Sequence, residues 1–393
     1  MFLHIDCNTF FASCEVASDP TLKGRPVVVA NDNDVGGGVI LALTPEAKAL
    51  GLKRGVPLFK VRRQLERDGV VICQADHKKY HRISQQVMNA VQKQDIVLDF
   101  VQYSVDEFFG VLPLDDPDEL EHYSRKVMDN IISSTGIPVG CGCSTTYTLA
   151  KVATGFAKHY PAYHGVCVLP PEKREQALAL VPVGDVWGVG RKLRPQLMQL
   201  GIETARDWAN RSEEEMSHVL STPALRTYHE LRGIPSITLH TKERQKSIMQ
   251  SHTFGRMVED KDVLRGHVLR FAERCCISLR AQKSLCSHVD IFLSTNRYRD
   301  DMPQYRNGHG RHLTEPTADT PAVLNVVAGL FEEVYRSGFA YKQAGVILSG
   351  IVADEGRQLD LFTVGNDERH RRLMAVADCI NRKFGENTVH FTS

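Results

Sequence analysis

Apolar and polar positions in the N-terminal part of the chain recur with the periods of strands and helices. Apolar residues alternate over Phe2–Asp6, which predicts a strand. An apolar stripe with spacings of three and four residues predicts an amphipathic helix over about 77–94. The other elements that the pattern predicts here are helices at 10–17, 57–68, 117–134 and 147–159, strands at 26–30, 39–43, 70–75 and 139–144, and a two-stranded hairpin over 96–112.

The order of these elements predicts the fold of this region. When the segment from Pro26 to Ala75 is set aside as an insertion, the chain runs strand, helix, hairpin, helix, strand. That order is compatible with a ferredoxin-like β-α-β-β-α-β core, in which the first and third strands are neighbours. Within the insertion, Thr44 is suited to cap a helix whose first residue is Pro45.

The rest of the chain falls into three further parts. Pro182–Gly233 is a compact helical block, and a polar link at 238–247 leads into a mixed region that runs to about Val352. The residues after Val352 are polar and contain little core-forming pattern, so no element is predicted there. A length of 393 residues leaves room for two to four domains.

Composition is that of an ordinary globular protein, with 42% hydrophobic and 24% charged residues. No apolar run approaches the roughly 20 residues that a membrane-spanning helix requires, and the N-terminus has no basic leader. The ten cysteines form no C-x-x-C pair, which argues against a zinc site. Most of them lie in apolar runs, as reduced core thiols do, so we expect a cytoplasmic protein.

Charge is balanced in total but unevenly spread. The chain has 48 Lys and Arg against 47 Asp and Glu. The segment 95–121 contains nine acidic residues and no Lys or Arg, whereas 242–311 contains fourteen basic and eight acidic residues. A basic stretch of this kind suits contact with a phosphate backbone, although a solvated surface is an equal alternative.

Three carboxylates are candidates for chemistry: Asp6 at the end of the first strand, and the pair Asp106 and Glu107 in the hairpin. Neighbouring residues of a regular strand point to opposite faces, so the pair can serve one site only at a strand end or turn. Carboxylates that lie together repel each other unless a cation neutralises them, and Mg²⁺ favours carboxylates together with phosphate oxygens. Two such ions, about 3.5–4 Å apart, can promote in-line phosphoryl transfer. The alternative for an isolated Asp-Glu pair is a solvated turn.

Six short segments, in order along nearly the whole chain, carry a more specific signal. They are DCNTFFASCE at Asp6–Glu15, EAKALG at Glu46–Gly51, YSVDE at Tyr103–Glu107, VWGVGRKL at Val186–Leu193, AGVIL at Ala344–Leu348 and QLDLF at Gln358–Phe362. The first resembles the first metal-binding motif of the Y-family of translesion DNA polymerases, and YSVDE resembles the YSIDE signature of that family. The segments together are most similar to the UmuC-type members, and their shared order is more specific than any one motif.

This resemblance implies an α+β multidomain fold, the right-hand polymerase architecture. It has a ferredoxin-like palm, small fingers, a helical thumb with a helix-hairpin-helix, and an α/β little finger. The implied bounds are 1–25 and 75–165 for the palm, 26–74 for the fingers, 166–235 for the thumb, 242–352 for the little finger, and 353–393 for a polar tail.

The resemblance also implies a reaction. Asp6, Asp106 and Glu107, with the backbone carbonyl of Cys7, would bind two Mg²⁺ ions. A primer 3′-hydroxyl would attack the α-phosphate of a dNTP and release pyrophosphate, mostly through positioning and charge neutralisation. The function implied is template-directed, error-prone translesion synthesis in DNA damage tolerance and SOS-type mutagenesis.

Four residues match the family positions that bind the nucleotide. Phe11 matches the steric gate that excludes a ribose 2′-hydroxyl, and the backbone amides of Phe10 and Phe11 would reach the triphosphate. Lys158 and Lys48 match basic residues that bind phosphate as point charges. Without the resemblance, Phe11 would be a core aromatic residue and either lysine a surface charge.

Two further segments match binding motifs. Gly188, Gly190 and Arg191 resemble the turn of a helix-hairpin-helix, where backbone amides approach a DNA phosphate. QLDLF resembles the pentapeptide that binds bacterial sliding clamps, with Gln358 as hydrogen-bonding residue and Leu361 and Phe362 in an apolar pocket. The implied partners are primer-template DNA, dNTP, a sliding clamp, a UmuD-type accessory dimer and a RecA filament.

The chain departs from the family pattern in places. Many relatives have Tyr where this chain has Pro45, which cannot donate a phenolic hydrogen bond, and Gly36–Gly38 make the fingers loop rich in glycine. UmuC-like chains often continue in a basic tail that would contact the accessory dimer, whereas this sequence stops at Ser393. Two rival functions remain at this point: a nucleotide cyclase with a palm-like core, and a non-catalytic factor that binds DNA and the clamp.

Overall fold

The structure, a computed structural model, describes residues 1–31, 38–239, 244–354, 367–385 and 388–391. Its residues form two compact units, Met1–Thr241 and Lys242–Ser393. Each unit has its own sheets and its own buried apolar cores, so each is described separately.

The first unit contains mixed elements in its N-terminal two thirds and helices thereafter. Its strands are β1 (Phe2–Cys7), β2 (Val27–Ala30), β3 (Ile40–Leu43), β4 (Val71–Gln74), β5 (Leu98–Gln102), β6 (Glu107–Val111), β7 (Val139–Ser144) and β8 (Val166–Val168). Its helices are α1 (Phe10–Ser18), α2 (Pro45–Ala49), α3 (Leu58–Arg67), α4 (His77–Gln92), α5 (Pro117–Thr135), α6 (Tyr147–His159), α7 (Arg174–Ala179), α8 (Leu193–Gln199), α9 (Ala205–Ala209), α10 (Glu213–Val219) and α11 (Thr222–Leu231).

A five-stranded sheet in the order β5-β6-β1-β7-β8 forms the centre of this unit. Its first four strands have the ferredoxin-like order, which confirms the core predicted from the element sequence. The edge strand β8, parallel to β7, was not predicted because Val166–Val168 is too short to show a period. Helices α4 and α5 cover the face that carries Leu3 and Ile5, and α6 covers the opposite face.

Two glycines in β7 allow α6 to lie close against the sheet. A Cβ atom on Gly142 would collide with the backbone of α6 at Ala150 and Thr154. A Cβ atom on Gly140 would lie 2.9 Å from Cγ of Lys158. The Gly-Cys-Gly-Cys run in β7 therefore places its glycines towards α6. Cys141 and Cys143 are fully buried in the apolar core that α4 and α5 cover.

The segment predicted as an insertion forms a small sheet in the order β3-β2-β4 with a core of its own. Thr44 caps α2 as predicted, since its hydroxyl accepts a hydrogen bond from the amide of Ala47. The helices α7 to α11 pack around the fully buried Trp208 and against the outer side of α6. Burial of Leu149 and Val152 in this cluster ties α6 to the helical block.

The second unit is a four-stranded sheet in the order β11-β10-β12-β9, with two helices packed on it. Its elements are β9 (Ile248–Val258), α12 (Lys261–Ala281), β10 (Ser284–Thr295), β11 (Arg306–Thr317), α13 (Thr320–Val334), β12 (Tyr341–Ala353) and α14 (Asp367–Phe384). Residues of α12 and α13 and alternate residues of β10 and β12 form one buried core.

Helix α14 lies where the polar pattern predicted no element. Its residues Met374 and Ala377 are buried, and Asp378 binds the guanidinium of Arg280 with two hydrogen bonds of 2.7 Å. An apolar face this narrow gives only a weak sequence signal, because the charged partners contribute the rest of the contact. The expectation that the tail lacks packed structure was therefore wrong for this helix.

Candidate active site

The three predicted carboxylates meet at one end of the central sheet. β1 and β6 are antiparallel, and Asp6 is the register partner of Glu107. Asp106 lies in the turn just before β6, and its carbonyl accepts a 2.9 Å hydrogen bond from the amide of Cys7. The requirement that the Asp-Glu pair lie at a strand end is met, since Glu107 is the first residue of its strand.

Ser104 shapes the turn that carries these acids. Its hydroxyl donates to Oδ1 of Asp106 at 2.6 Å and accepts from the amides of Asp106 and Glu107 at 3.3 and 3.1 Å. A serine hydroxyl that bonds backbone two or three residues ahead is a common way to stabilise a turn. Ser104 thereby orients the acids, a role that sequence reasoning missed although the residue lies within the signature.

Two lysines of α6 bind two of the carboxylates. Lys158 lies 2.6 Å from Oδ1 of Asp6, and Lys151 lies 3.0 and 2.9 Å from the two carboxylate oxygens of Glu107. Residues seven apart on a helix share a face, so both ammonium groups reach the same end of the sheet. Gly140 is the β7 partner of Asp6 and provides the space that the stem of Lys158 occupies.

The charge at this end of the sheet is only partly compensated. The pKa of Asp6 is raised, chiefly because burial disfavours its charge, and the nearby Glu107 and Asp106 raise it further while Lys158 opposes the change. Burial also raises the pKa of the Cys7 thiol well above its usual range. Cys7 therefore remains a protonated core thiol, and only its backbone carbonyl is available as an oxygen ligand.

The chemistry of the donor set fits a hard divalent cation, which prefers carboxylate and carbonyl oxygens. As they stand, no three His, Cys, Asp or Glu side chains in the described ranges are grouped closely enough to hold a metal ion. Lys158 and Lys151 are instead the cations bound to Asp6 and Glu107.

The residues predicted to bind the nucleotide begin directly after β1. Thr9 has a left-handed backbone with φ of 45°, which turns the chain sharply from β1 into α1. The first turn of α1 contains no acidic residue and no side-chain cap, so its amides present a positive helix end. Phe10 is buried in the core, whereas Phe11 is partly exposed.

Phe11 is held by other aromatic rings. It stacks on Tyr80 with a centroid distance of 4.4 Å and meets the edge of His77 at 5.6 Å. The Tyr80 hydroxyl donates to Glu15 at 2.6 Å, and Lys79 binds the other oxygen of Glu15 at 2.5 Å. These contacts fix the orientation of the Phe11 ring.

Lys48 lies exposed on α2, close to the helix start that carries Pro45. A cavity of about 430 Å³ separates the start of α2 from α1, and its lining includes Thr9, Ser13, Pro45 and Glu46. The structure thus brings the start of α2 next to the α1 turn. Lys48 itself is not among the residues that line this cavity.

The segment predicted to contact DNA is accessible. Gly188, Gly190 and Arg191 are exposed, and Gly188 has a φ of 87°, which only glycine adopts without strain. The amide of Arg194 bonds to the carbonyl of Gly190, so helical bonding begins at this glycine. The helical element before it is a single 3₁₀ turn, Val183–Asp185, rather than a full helix.

Some predicted residues fall outside the described ranges. These are the clamp-binding residues Gln358, Leu361 and Phe362, together with Gly36 and Gly37 of the fingers loop. Sequence reasoning also missed Lys151. The signal that could have found it is its position seven residues before Lys158 on a helix that was predicted with the observed bounds.

A ferredoxin-like sheet that carries three carboxylates at one end, followed by a helical block, is the arrangement expected for the palm and thumb of a nucleotidyl-transferring polymerase. The impB/mucB/samB family model matches residues 5–155, and the model of the C-terminal domain of that family matches residues 245–361. The chain is 34% identical to Protein UmuC of Salmonella typhimurium over all of this chain and 93% of that protein. It is 29% identical to DNA polymerase IV of Methanoculleus marisnigri, over 91% of this chain and 96% of that protein. The chain belongs to the impB/mucB/samB family and is a DNA-directed DNA polymerase of the Y-family.

Solved structures give the same fold. A Y-family DNA polymerase chimera of Dbh and Dpo4 superimposes with a TM-score of 0.70 at 21% identity, over 90% of this chain and 99% of that one. An insertion ternary complex of Dbh DNA polymerase superimposes with a TM-score of 0.55 at 19% identity, with the same coverage. The predicted fold class is thus confirmed. Polymerases of this family use divalent metal ions, and no helix in the described part of this chain is long and apolar enough to cross a bilayer.

Proposed function

We propose that the protein carries out error-prone translesion DNA synthesis by two-metal phosphoryl transfer, in DNA damage tolerance and SOS-type mutagenesis. The observation that carries the proposal is the register pairing of Asp6 with Glu107 beside the turn at Asp106. These carboxylates, with the Cys7 carbonyl, are the residues that would hold two Mg²⁺ ions. Bound ions of this kind supply charge neutralisation for the attacking and leaving oxygens.

The remaining site residues, from the palm and from the fingers, bind and orient the nucleotide in this proposal. The amides of Phe10 and Phe11 bind phosphate at the positive end of α1. Lys158 and Lys48 add point charges for the phosphates. Lys158 contacts Asp6 through a single carboxylate oxygen, so only that one contact must break before its ammonium group binds the nucleotide. The ring of Phe11, fixed by Tyr80, is the surface against which the sugar packs.

DNA contact is divided between two regions in the proposal. Gly188, Gly190 and Arg191 bind one phosphate without reading sequence, as a polymerase requires. The basic stretch between Lys242 and Arg311 binds the backbone through counterion release, so its contribution weakens with salt. QLDLF at Gln358–Phe362 would bind a sliding clamp, and a UmuD-type dimer and a RecA filament are the expected accessory partners.

Primer extension on an undamaged template and on one with an abasic site tests the proposal. We expect the wild-type protein to extend the primer in Mg²⁺, to insert a nucleotide opposite the abasic site, and to stop when EDTA removes the metal. The assay includes arms with and without clamp and accessory subunits. No metal-dependent extension in any arm would refute catalysis and leave the non-catalytic DNA- and clamp-binding factor as the function.

Phe11→Ala is expected to lower discrimination against ribonucleotides by roughly 100-fold, because it removes the bulk that meets a 2′-hydroxyl. The measurement is the ratio of kcat/KM for dNTP and rNTP in single-nucleotide insertion. Phe11→Tyr keeps the ring and serves as the matched control, with selectivity close to wild type. Unchanged ribonucleotide exclusion in Phe11→Ala would remove the steric-gate assignment.

A further inference from the structure

Lys151 binds its carboxylate differently from Lys158, the other lysine on the same face of α6. The ammonium of Lys151 lies 3.0 Å from Oε1 and 2.9 Å from Oε2 of Glu107, so it binds both oxygens. Lys158 binds Asp6 through Oδ1 at 2.6 Å. About a fifth of each side chain in the Lys151–Glu107 pair is exposed, at 19% and 22%, which limits screening by water.

Three aromatic rings surround the Lys151 ammonium. The ring centroids lie at 5.3 Å for Trp187, 5.4 Å for Tyr103 and 5.9 Å for Phe109. A cation at these distances from a ring face is attracted by the ring quadrupole. No cation–ring contact of Lys158 occurs in the described ranges, so only Lys151 of the two has such a cage.

The rings of the cage also contact one another. Trp187 stacks on Phe109 with centroids 5.6 Å apart and meets Tyr103 edge-on at 5.4 Å. The indole N–H of Trp187 donates to the Tyr103 hydroxyl at 3.2 Å. A lysine side chain otherwise has much rotamer freedom, and contacts with three rings restrict it before any substrate binds.

We infer that Lys151 is a positioning residue for the reaction: it is held by Tyr103, Phe109 and Trp187, and it fixes the carboxylate of Glu107 beside Asp6. The inference rests on the proposed function, because Lys151 acts through a carboxylate of that site. Lys151 also reduces the negative charge that Glu107 presents to a divalent cation. Trp187 directly precedes Gly188, so the cage joins the catalytic turn to the segment proposed to contact DNA.

Lys151→Met tests this role, since it keeps the length of the side chain and removes the charge. Calorimetric titration of the DNA-free protein with Mn²⁺ should show binding that is tighter by about 3- to 30-fold, because a competing cation is gone. In steady-state primer extension, kcat should fall by about 10- to 100-fold, as is usual when the support of a metal ligand is lost. The KM for dNTP should change by less than about twofold, because Lys151 is inferred to act through Glu107 and not on the nucleotide.

Three variants separate positioning from a merely structural role. Lys151→Arg keeps the charge and can bind both oxygens, so it should recover most of kcat. Lys126→Met, on an exposed position of α5, should alter neither readout. Trp187→Leu keeps Lys151 but opens the cage, so it should also lower kcat, by a smaller factor than Lys151→Met does. This variant provides a second test if Lys151→Met fails to fold.

The outcomes distinguish this inference from the proposed function. Wild-type Mn²⁺ affinity and kcat in folded Lys151→Met would overturn the positioning role while the polymerase function stands. If the wild-type protein does not extend primers at all, the proposed function fails, and the Mn²⁺ titration still decides the role of Lys151 at Glu107. Tighter Mn²⁺ binding with reduced kcat and rescue by Lys151→Arg is the result that supports the inference.

Discussion

Asp6→Asn is expected to reduce primer extension by on the order of 1,000-fold or more while the protein stays folded. The substitution keeps the size of the side chain and removes the negative charge of Asp6, the residue that lies opposite Glu107 in the β1–β6 pairing. An amide oxygen is a much weaker ligand for a hard cation than a carboxylate. The measurement is the single-turnover rate of nucleotide insertion at saturating dNTP and metal.

The stability of this variant follows from the direction of the Asp6 pKa. Because burial raises that pKa, the folded protein binds the Asp6 proton more tightly than the unfolded chain does. Ionisation of Asp6 therefore lowers stability as pH rises through the ordinary aspartate range, and the cost remains at neutral pH. The neutral amide of the Asp6→Asn variant has no such cost, so its thermal unfolding midpoint at pH 7 should equal or exceed that of wild type.

Asp115→Asn is the matched control, because Asp115 lies exposed in the same acidic stretch and binds no lysine of α6 in the described contacts. It should leave both the insertion rate and the unfolding midpoint unchanged. Insertion by Asp6→Asn within tenfold of wild type would exclude Asp6 from catalysis. A large drop in its unfolding midpoint would instead contradict the charge argument.

Gly142→Ala is expected to destabilise the first unit by about 3 kcal/mol or more. The added Cβ would collide with backbone atoms of α6 at Ala150 and Thr154, and helix backbone cannot rotate aside as a flexible side chain can. The sheet and α6 would have to separate. The measurement is the free energy of unfolding from urea denaturation.

Gly155→Ala is the matched control for this prediction, since Gly155 lies in the same helix with no atom within 4 Å of an added Cβ. Alanine is favoured over glycine in a helix interior by roughly 0.5–1 kcal/mol, so this variant should be more stable than wild type. If the urea midpoint of unfolding were the same for both variants as for the wild-type protein, the close packing of α6 on β7 would be disproved.

Most elements of the central sheet and its helices could be predicted from sequence because they carry a strong periodic signal, which the short edge strand β8 lacks. β7 and α6 have the predicted bounds, and the three acids meet where the ferredoxin-like order requires. Residues far apart in sequence are brought together only by the register of β1 against β6. That register followed from the fold type, not from any local pattern.

The environment of the acids could not be predicted in the same way. The contact of Trp187 with Tyr103 joins residues 84 apart, and nothing in either segment indicates that the rings meet. The charge pairs of α6 depend on how closely the helix packs on β7, which the two glycines decide. Helix α14 was missed because its packing relies on Arg280 and Asp378 rather than on an apolar stripe.

The docking of α14 bears on how the second unit can be divided for expression. Arg280 binds Asp378 and also donates to the carbonyl of Ala318 and the hydroxyl of Thr320 at 2.8 Å. A fragment that ends near Val352, where the sequence alone suggests a boundary, would keep this guanidinium and discard its carboxylate. Such a cut leaves a partly buried cation without its counter-ion and uncovers the surface beneath Met374. The folded part of the second unit therefore extends beyond the last strand and through a helix whose sequence looks like linker, and Phe391 after that helix still packs against the core.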